Sequence, residues 1–179
     1  MTGFPASLRT ASSVVFTRVG LSALLVLIMI SAAMAGQQRG QVTNLPIPRF
    51  VSMKAAEGNV RRGPSLTHRI DWVYHRKDLP LEITAEFGHW RQVRDVDGAG
   101  GWVHYSLLSG VRTVLIEADD IKMMTQPDPK SGVSALVEKG VVARIDACTV
   151  EWCKIRAGGE KGWVQKTALW GVAPDEVIE

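Results

Sequence analysis

The chain has 179 residues and a formal net charge of +3. Removing the two basic residues of the leading segment, Arg9 and Arg18, leaves 19 of the 21 basic residues against 18 acids, a net charge of +1. A chain so near neutral offers no electrostatic case for a nucleic-acid partner, which needs a basic patch or stripe.

The leading segment is read separately from the fold. Arg9 and Arg18 precede the apolar run from Leu21 to Ile30, no acid occurs before Ala35, and Ala33-Met34-Ala35 has the small-residue form of a cleavage site. Residues 1–35 therefore read as a secretory signal peptide cleaved after Ala35, and the expected location is periplasmic or secreted. The alternative is an uncleaved membrane anchor, although Val19 to Ala35 is slightly short of the about 20 residues a bilayer requires. Membrane contact is expected only through such an uncleaved leader. Residues 36–49 are polar, contain Pro46 and Pro48, and show no apolar period, so they read as a flexible linker.

From Phe50 onward, periods of two dominate. Phe50 to Ala55 and Asn59 to Arg62 are strand candidates, the second halted by Gly63-Pro64. Ser65 to Asp78 lacks clean alternation and reads as a long irregular loop. Leu81 to Phe87 alternates as a strand should, Gly88-His89 turns it, and Trp90 to Arg94 runs back. Asp97 to Gly101 is a turn signal before the strand Trp102 to Tyr105. Ser106 to Gly110 suits one helical turn with a glycine stop. Val114 to Ile116 closes this unit or opens the next.

The pattern then returns. Trp90-Arg91-Gln92-Val93, Gly101-Trp102-Val103 and Leu107-Leu108-Ser109-Gly110 recur as Trp152-Cys153-Lys154-Ile155, Gly162-Trp163-Val164 and Ala168-Leu169-Trp170-Gly171, shifted by about sixty residues. The second copy offers strands over Asp120 to Thr125, Val141 to Cys148, Trp152 to Ala157 and Gly162 to Gln165, with Pro127 to Lys139 as its irregular loop. The expected organisation is a first repeat over 50–112, a second over 113–171 and a tail over 172–179. No sustained helical period follows the leader, so the fold class is all-β, with two tandem small barrels. Units of about sixty residues sit near the lower limit for folding alone, and packing them together would help.

Cys148 and Cys153 flank a predicted hairpin turn of the second repeat. Export would place them in an oxidising compartment, where a disulfide clamping the hairpin is the structural reading. A loop that short contributes about 2 kcal/mol in the chain-entropy model. The other reading is a reactive dithiol, for which the spacing lacks the C-x-x-C form.

The run Asn59-Val60-Arg61-Arg62-Gly63-Pro64-Ser65, then Trp90, then Gly101-Trp102-Val103, resembles the bacterial SH3-like domain family. The chain is similar in particular to the exported two-repeat SH3-like proteins of Gram-negative bacteria, from roughly Phe50 to Gly171. The resemblance implies a twisted five-stranded barrel per repeat, with the loop Ser65 to Asp78 flanking a ligand groove and Trp90 standing at the strand start as a groove tryptophan. It also implies a binding or targeting module for cell-wall peptides or envelope proteins. The second repeat departs from the signature. Met123 to Pro127 keeps the proline but loses the arginines and the glycine, and Val133 to Val137 has no aromatic. The second repeat is therefore expected to be a structural copy with a stapled hairpin.

Candidate groove residues are Trp72, Tyr74, Trp90, Tyr105 and Arg61, all in the first repeat. Aromatics with a polar tip give large contact area at binding surfaces, and an arginine fork matches a carboxylate. Trp102 and Trp163 recur at matched strand positions and are expected in or beside the core. The histidines His68, His75, His89 and His104 also lie in the first repeat, but in no metal-ligand spacing, so no metal or cofactor is expected. There is no P-loop, dinucleotide fingerprint or nucleophile elbow. The expected function is non-enzymatic recognition of a peptide, peptidoglycan or partner protein in the cell envelope. The alternative is an accessory or cryptic cell-wall hydrolase using the first-repeat histidines.

Overall fold

The structure, a computed structural model, describes residues 37–179, so the signal-peptide reading of 1–35 lies outside the described residues. The first sheet contains β1 (Arg49–Met53), β2 (Gly58–Arg61), β3 (Ile70–Tyr74), β4 (Pro80–Phe87), β5 (Trp90–Arg94) and β6 (Gly100–His104). A 3-10 turn, Tyr105–Leu107, leads into the two-residue strand β7 (Leu108–Ser109). The second sheet contains β8 (Thr113–Ile116), β9 (Ile121–Met124), β10 (Val133–Val137), β11 (Val142–Cys148), β12 (Trp152–Ala157) and β13 (Glu160–Gln165). It ends with the 3-10 turn Lys166–Ala168 and β14 (Leu169–Trp170).

The strand orders are β3-β2-β6-β5-β4-β1-β7 and β10-β9-β13-β12-β11-β8-β14. Adding seven to each label of the first gives the second, so the sequence repeat is a repeat of topology. Val114 to Ile116 opens the second unit, because β8 pairs with β11 and β14. Even the irregularities recur. A register shift falls between Ile83 and Ala85 on β4, and between Ile145 and Ala147 on β11. Both bend the long strand at the same place.

Each sheet closes over its own core. Met53, Val60, Tyr74, Leu81, Ile83, Val93 and Val103 fill the first, with Ile47 beside them. Val114, Ile116, Met123, Val137, Ile145, Ile155 and Val164 fill the second, with the disulfide-bonded Cys148 and Cys153. These residues alternate along their strands, as one-sided burial demands. Trp102 and Trp163 are half-buried at the rims of the two cores.

Three expectations need correction. The stretches read as irregular loops, 65–78 and 127–139, hold β3 and β10, and with the two-residue strands β7 and β14 each sheet has seven strands rather than five. Ile70, Trp72 and Tyr74 do alternate, but the signal spans only five residues of a longer polar stretch, and pairing with β2 supplies the rest. The segment read as a flexible linker is held in place from Gln38. Arg39 bridges to Pro46, Ile47 is buried, and the amides of Val42 and Thr43 donate to the Glu86 carboxylate at 3.0 and 2.8 Å. No apolar period marks this segment because backbone hydrogen bonds to a buried acid hold it. The tail is likewise ordered, with Val172 buried and Ile178 bridged to Cys148.

Candidate functional site

Trp90 opens β5 directly after the turn Gly88–His89, and it sits opposite His104, the last residue of β6. The chain then enters the 3-10 turn, which begins at Tyr105. Two contacts fix that start. The Tyr105 amide donates to the His89 carbonyl at 2.9 Å, and His104 caps the turn through Ser106, its Nδ1 standing 2.7 Å from the Ser106 hydroxyl. Four aromatic rings therefore meet at one rim of the first barrel. His104 lies 5.4 Å from Trp90 (edge-on), 5.0 Å from Tyr105 and 6.0 Å from His89, and His89 lies 5.6 Å from Tyr105.

Burial grades across this cluster. Trp90 is buried and forms its floor, whereas Tyr105 is 49% exposed and His89 is exposed. Phe87, paired in register with Trp90, is also exposed at the hairpin tip. Arg91 passes beneath: its guanidinium stands 6.0 Å from the Tyr105 ring centre, donates to the carbonyls of Gly88 and Trp90, and lies 3.6 Å from Glu86. The arginine is buried and partnered, which fixes the turn and leaves a cation under an exposed phenol. The surface offers flat apolar rings with imidazole and hydroxyl tips, an apolar body with a polar handle.

The other expected groove residues lie elsewhere. Tyr74 belongs to the core, and its hydroxyl meets Asp95 at 3.2 Å and the Ala99 carbonyl at 3.1 Å. Burial together with the neighbouring Asp95 carboxylate raises the phenol well above its ordinary range. Trp72 packs edge-on against Tyr74 at 6.4 Å. Through its hydroxyl Tyr74 attaches to the β5–β6 turn, roughly 16 Å of strand away from Trp90 at the usual rise per residue. Arg61 is engaged with its own loop, where it donates to the carbonyls of Leu66 and His68 at 2.9 and 2.7 Å. The expected groove set thus divides: Trp90 and Tyr105 meet through His104 at the rim, Trp72 and Tyr74 pack against each other elsewhere, and Arg61 stays with its own loop.

The histidines divide in the same way. His75 lies 3.3 Å from Glu57, and His68 packs near Gly63, while His89 and His104 alone share a site. Among the described residues, no group of three or more His, Cys, Asp or Glu is arranged to hold a metal ion. The hydrolase alternative drew on these four histidines, of which the structure brings together only His89 and His104. Sequence reasoning noted His89 and His104 only as histidines. The signal that they belong with the aromatics was positional: one precedes Trp90 and the other precedes Tyr105.

The second barrel places different chemistry on the same frame. Trp152 pairs with Gln165 as Trp90 pairs with His104, and the Lys166 amide donates to the Glu151 carbonyl at 2.9 Å as Tyr105 does to His89. Glu151, Gln165 and Lys166 thus stand where the first barrel has His89, His104 and Tyr105.

With this geometry in hand, comparison identifies the class. The chain belongs to the bacterial SH3 domain family, whose model matches residues 54–110 and again 117–171. No curated protein matches it. Two solved structures are similar at low identity. NlpC2 from Trichomonas vaginalis is 14% identical with a TM-score of 0.32, over 69% of this chain and 48% of that one. NlpC1 from Trichomonas vaginalis is 13% identical with a TM-score of 0.33, over 73% and 48%. The chain spans about half the length of either, at 48%.

Proposed function

We propose that this chain is an exported, non-enzymatic binding module of the bacterial cell envelope, and that its first barrel holds an extended peptide, such as a cell-wall peptide, across the rim formed by His89, Trp90, His104 and Tyr105. The observation that carries the reading is the exposure of Tyr105 and His89 above a buried Trp90, with ring centres 5.0–6.0 Å apart. An exposed apolar surface rimmed by polar groups is the form that interaction sites take. Membership in the bacterial SH3 domain family supports a binding role. Recognition of extended peptides by aromatic-lined surfaces is a recurrent mode. The paired Cys148 and Cys153 support export, since disulfides persist in oxidising compartments.

The test is capture of the mature protein on purified peptidoglycan and on its soluble stem peptides. Tyr105→Ala is expected to weaken retention by at least about tenfold, the loss typical of an aromatic anchor. Its melting temperature should stay close to the parent's, because the side chain is exposed. Parent-like retention by Tyr105→Ala would refute the rim. Recovery of the protein from cells with residues 1–35 still attached would refute cleavage of the leader.

A further inference from the structure

One face of the second sheet lines up three cations. Across β11, β12 and β13, Arg144 sits opposite Arg156, and Arg156 sits opposite Lys161. Residues opposite one another in an antiparallel sheet share a face, with Cβ atoms about 4.5–5.5 Å apart. On its other flank Arg144 faces Thr113 of β8, which ends the row. All three cations are exposed. Asp146 answers Arg156 at 2.9 Å, while Arg144 and Lys161 enter no ion pair among the described residues. Glu160, beside Lys161 in sequence, lines a different cavity.

The first barrel carries other charges on the same frame. Glu82, Arg94 and Gly100 occupy the matching row, and there the acid and the arginine form an ion pair. In the second barrel Arg144 stands in place of the acid and Lys161 in place of the glycine. Like charges directly opposite one another destabilise a sheet. The row therefore costs stability unless an anion lies between its members.

The row also runs into a cleft at the junction of the barrels. Thr113, Val142, Arg144 and Arg156 form one wall of a cavity of about 210 Å³, and Asp78 and Val111 of the first repeat stand across from them. Thr113 ties the two walls together by donating to the Asp78 carbonyl at 2.8 Å. Asp78 is the one acid among the lining residues, so two arginines leave the cleft a positive balance. The volume is several times the roughly 30 Å³ that a water takes up in the liquid. A tetrahedral anion fits, together with part of the molecule that carries it.

We infer that the cleft between the barrels is a binding site for a small phosphate monoester, gripped by the guanidinium groups of Arg144 and Arg156, with Lys161 extending the row. An arginine fork matches phosphate or carboxylate through two parallel hydrogen bonds. Two forks favour phosphate. It offers three acceptor oxygens and a charge of about −1.5 to −2 at pH 7, whereas a carboxylate has two oxygens and a single charge. The site stands or falls separately from the aromatic rim of the first barrel.

The experiment is an NMR titration of the isotope-labelled full chain with inorganic phosphate at fixed ionic strength, read at the arginine Nε–H signals. The Arg144 and Arg156 signals are expected to move together and saturate, with that of the ion-paired Arg94 unmoved. Arg144→Gln and Arg156→Gln are each expected to weaken phosphate binding at least about tenfold, as loss of a charge-assisted hydrogen bond does. Both side chains are exposed, and a parent-like amide signal at the buried Ile155 reports an intact barrel. Chloride or acetate moving the two arginines as far as phosphate does would overturn the inference. So would the absence of saturable movement, or a phosphate affinity that neither substitution changes.

Discussion

In the first barrel, Glu86 on β4 faces Arg91 on β5; at the matching pair of the second, Cys148 faces Cys153 and the two are covalently joined. The carboxylate is buried and accepts from the Val42 and Thr43 amides, the Thr43 hydroxyl at 2.7 Å and Arg49 at 2.6 Å. Burial alone would raise its pKa. The Thr43, Arg49 and Val42 hydrogen bonds outweigh burial and lower it to about 2. A folded pKa below the unfolded value means the stabilisation is present above the ordinary carboxyl range and lost as pH falls towards 2. The expected contribution at neutral pH is on the order of 3 kcal/mol. Glu86→Gln should therefore lower the urea midpoint at pH 7, and the gap to the parent should shrink steadily between about pH 4.5 and pH 2. A constant gap across that range would show that the charge on Glu86 is not what holds the segment. The disulfide was legible from spacing and from the expected export; the Glu86 hub was not. Its hydrogen-bond partners lie 37 to 44 residues away, and nothing about a glutamate in an alternating strand marks it as buried.

At the level of elements, the recurring Gly-Trp-Val has a steric cause. A Cβ on Gly101 would lie 2.8 Å from the Arg61 carbonyl oxygen, and one on Gly162 would lie 3.0 Å from that of Met124. These are the places where β6 crosses β2 and β13 crosses β9. The glycine thus permits backbone contact across the barrel, and the following tryptophan covers the crossing. Gly101→Ala should cost about 1–3 kcal/mol by forcing these strands apart. Chemical denaturation measures it, and an unchanged midpoint would contradict the steric account. The strands with strong alternation, such as β4, β5 and β11, were readable from the sequence, as was the topological repeat. β3 and β10 were not, because their pairing with β2 and β9 depends on a register set in three dimensions. Tyr74 was misplaced for the same reason: an aromatic in a stretch read as loop looks available, whereas on β3 it points into the core.

Across the whole molecule, both ends of the described chain dock at equivalent points. The segment after Gln38 closes on Glu86 of the first barrel, and the segment after Gly171 closes on Cys148 of the second. The barrels also touch directly: Phe50 stacks edge-on with Trp170 at 5.2 Å, Arg112 lies 5.9 Å from the Phe50 ring centre, and Thr113 donates to the Asp78 carbonyl at 2.8 Å. The two rims then differ in state. That of the second is covered by the chain itself, and that of the first presents uncovered rings. Under the proposed function, capture of an outside ligand falls to the first barrel. Its most direct test is a heteronuclear NMR titration of the mature protein with soluble peptidoglycan stem peptides. The account predicts shift changes concentrated at His89, the Trp90 indole, His104 and Tyr105, with Trp72 and Tyr74 unmoved. Changes centred on the β5–β6 turn, or no changes at saturating peptide, would contradict it.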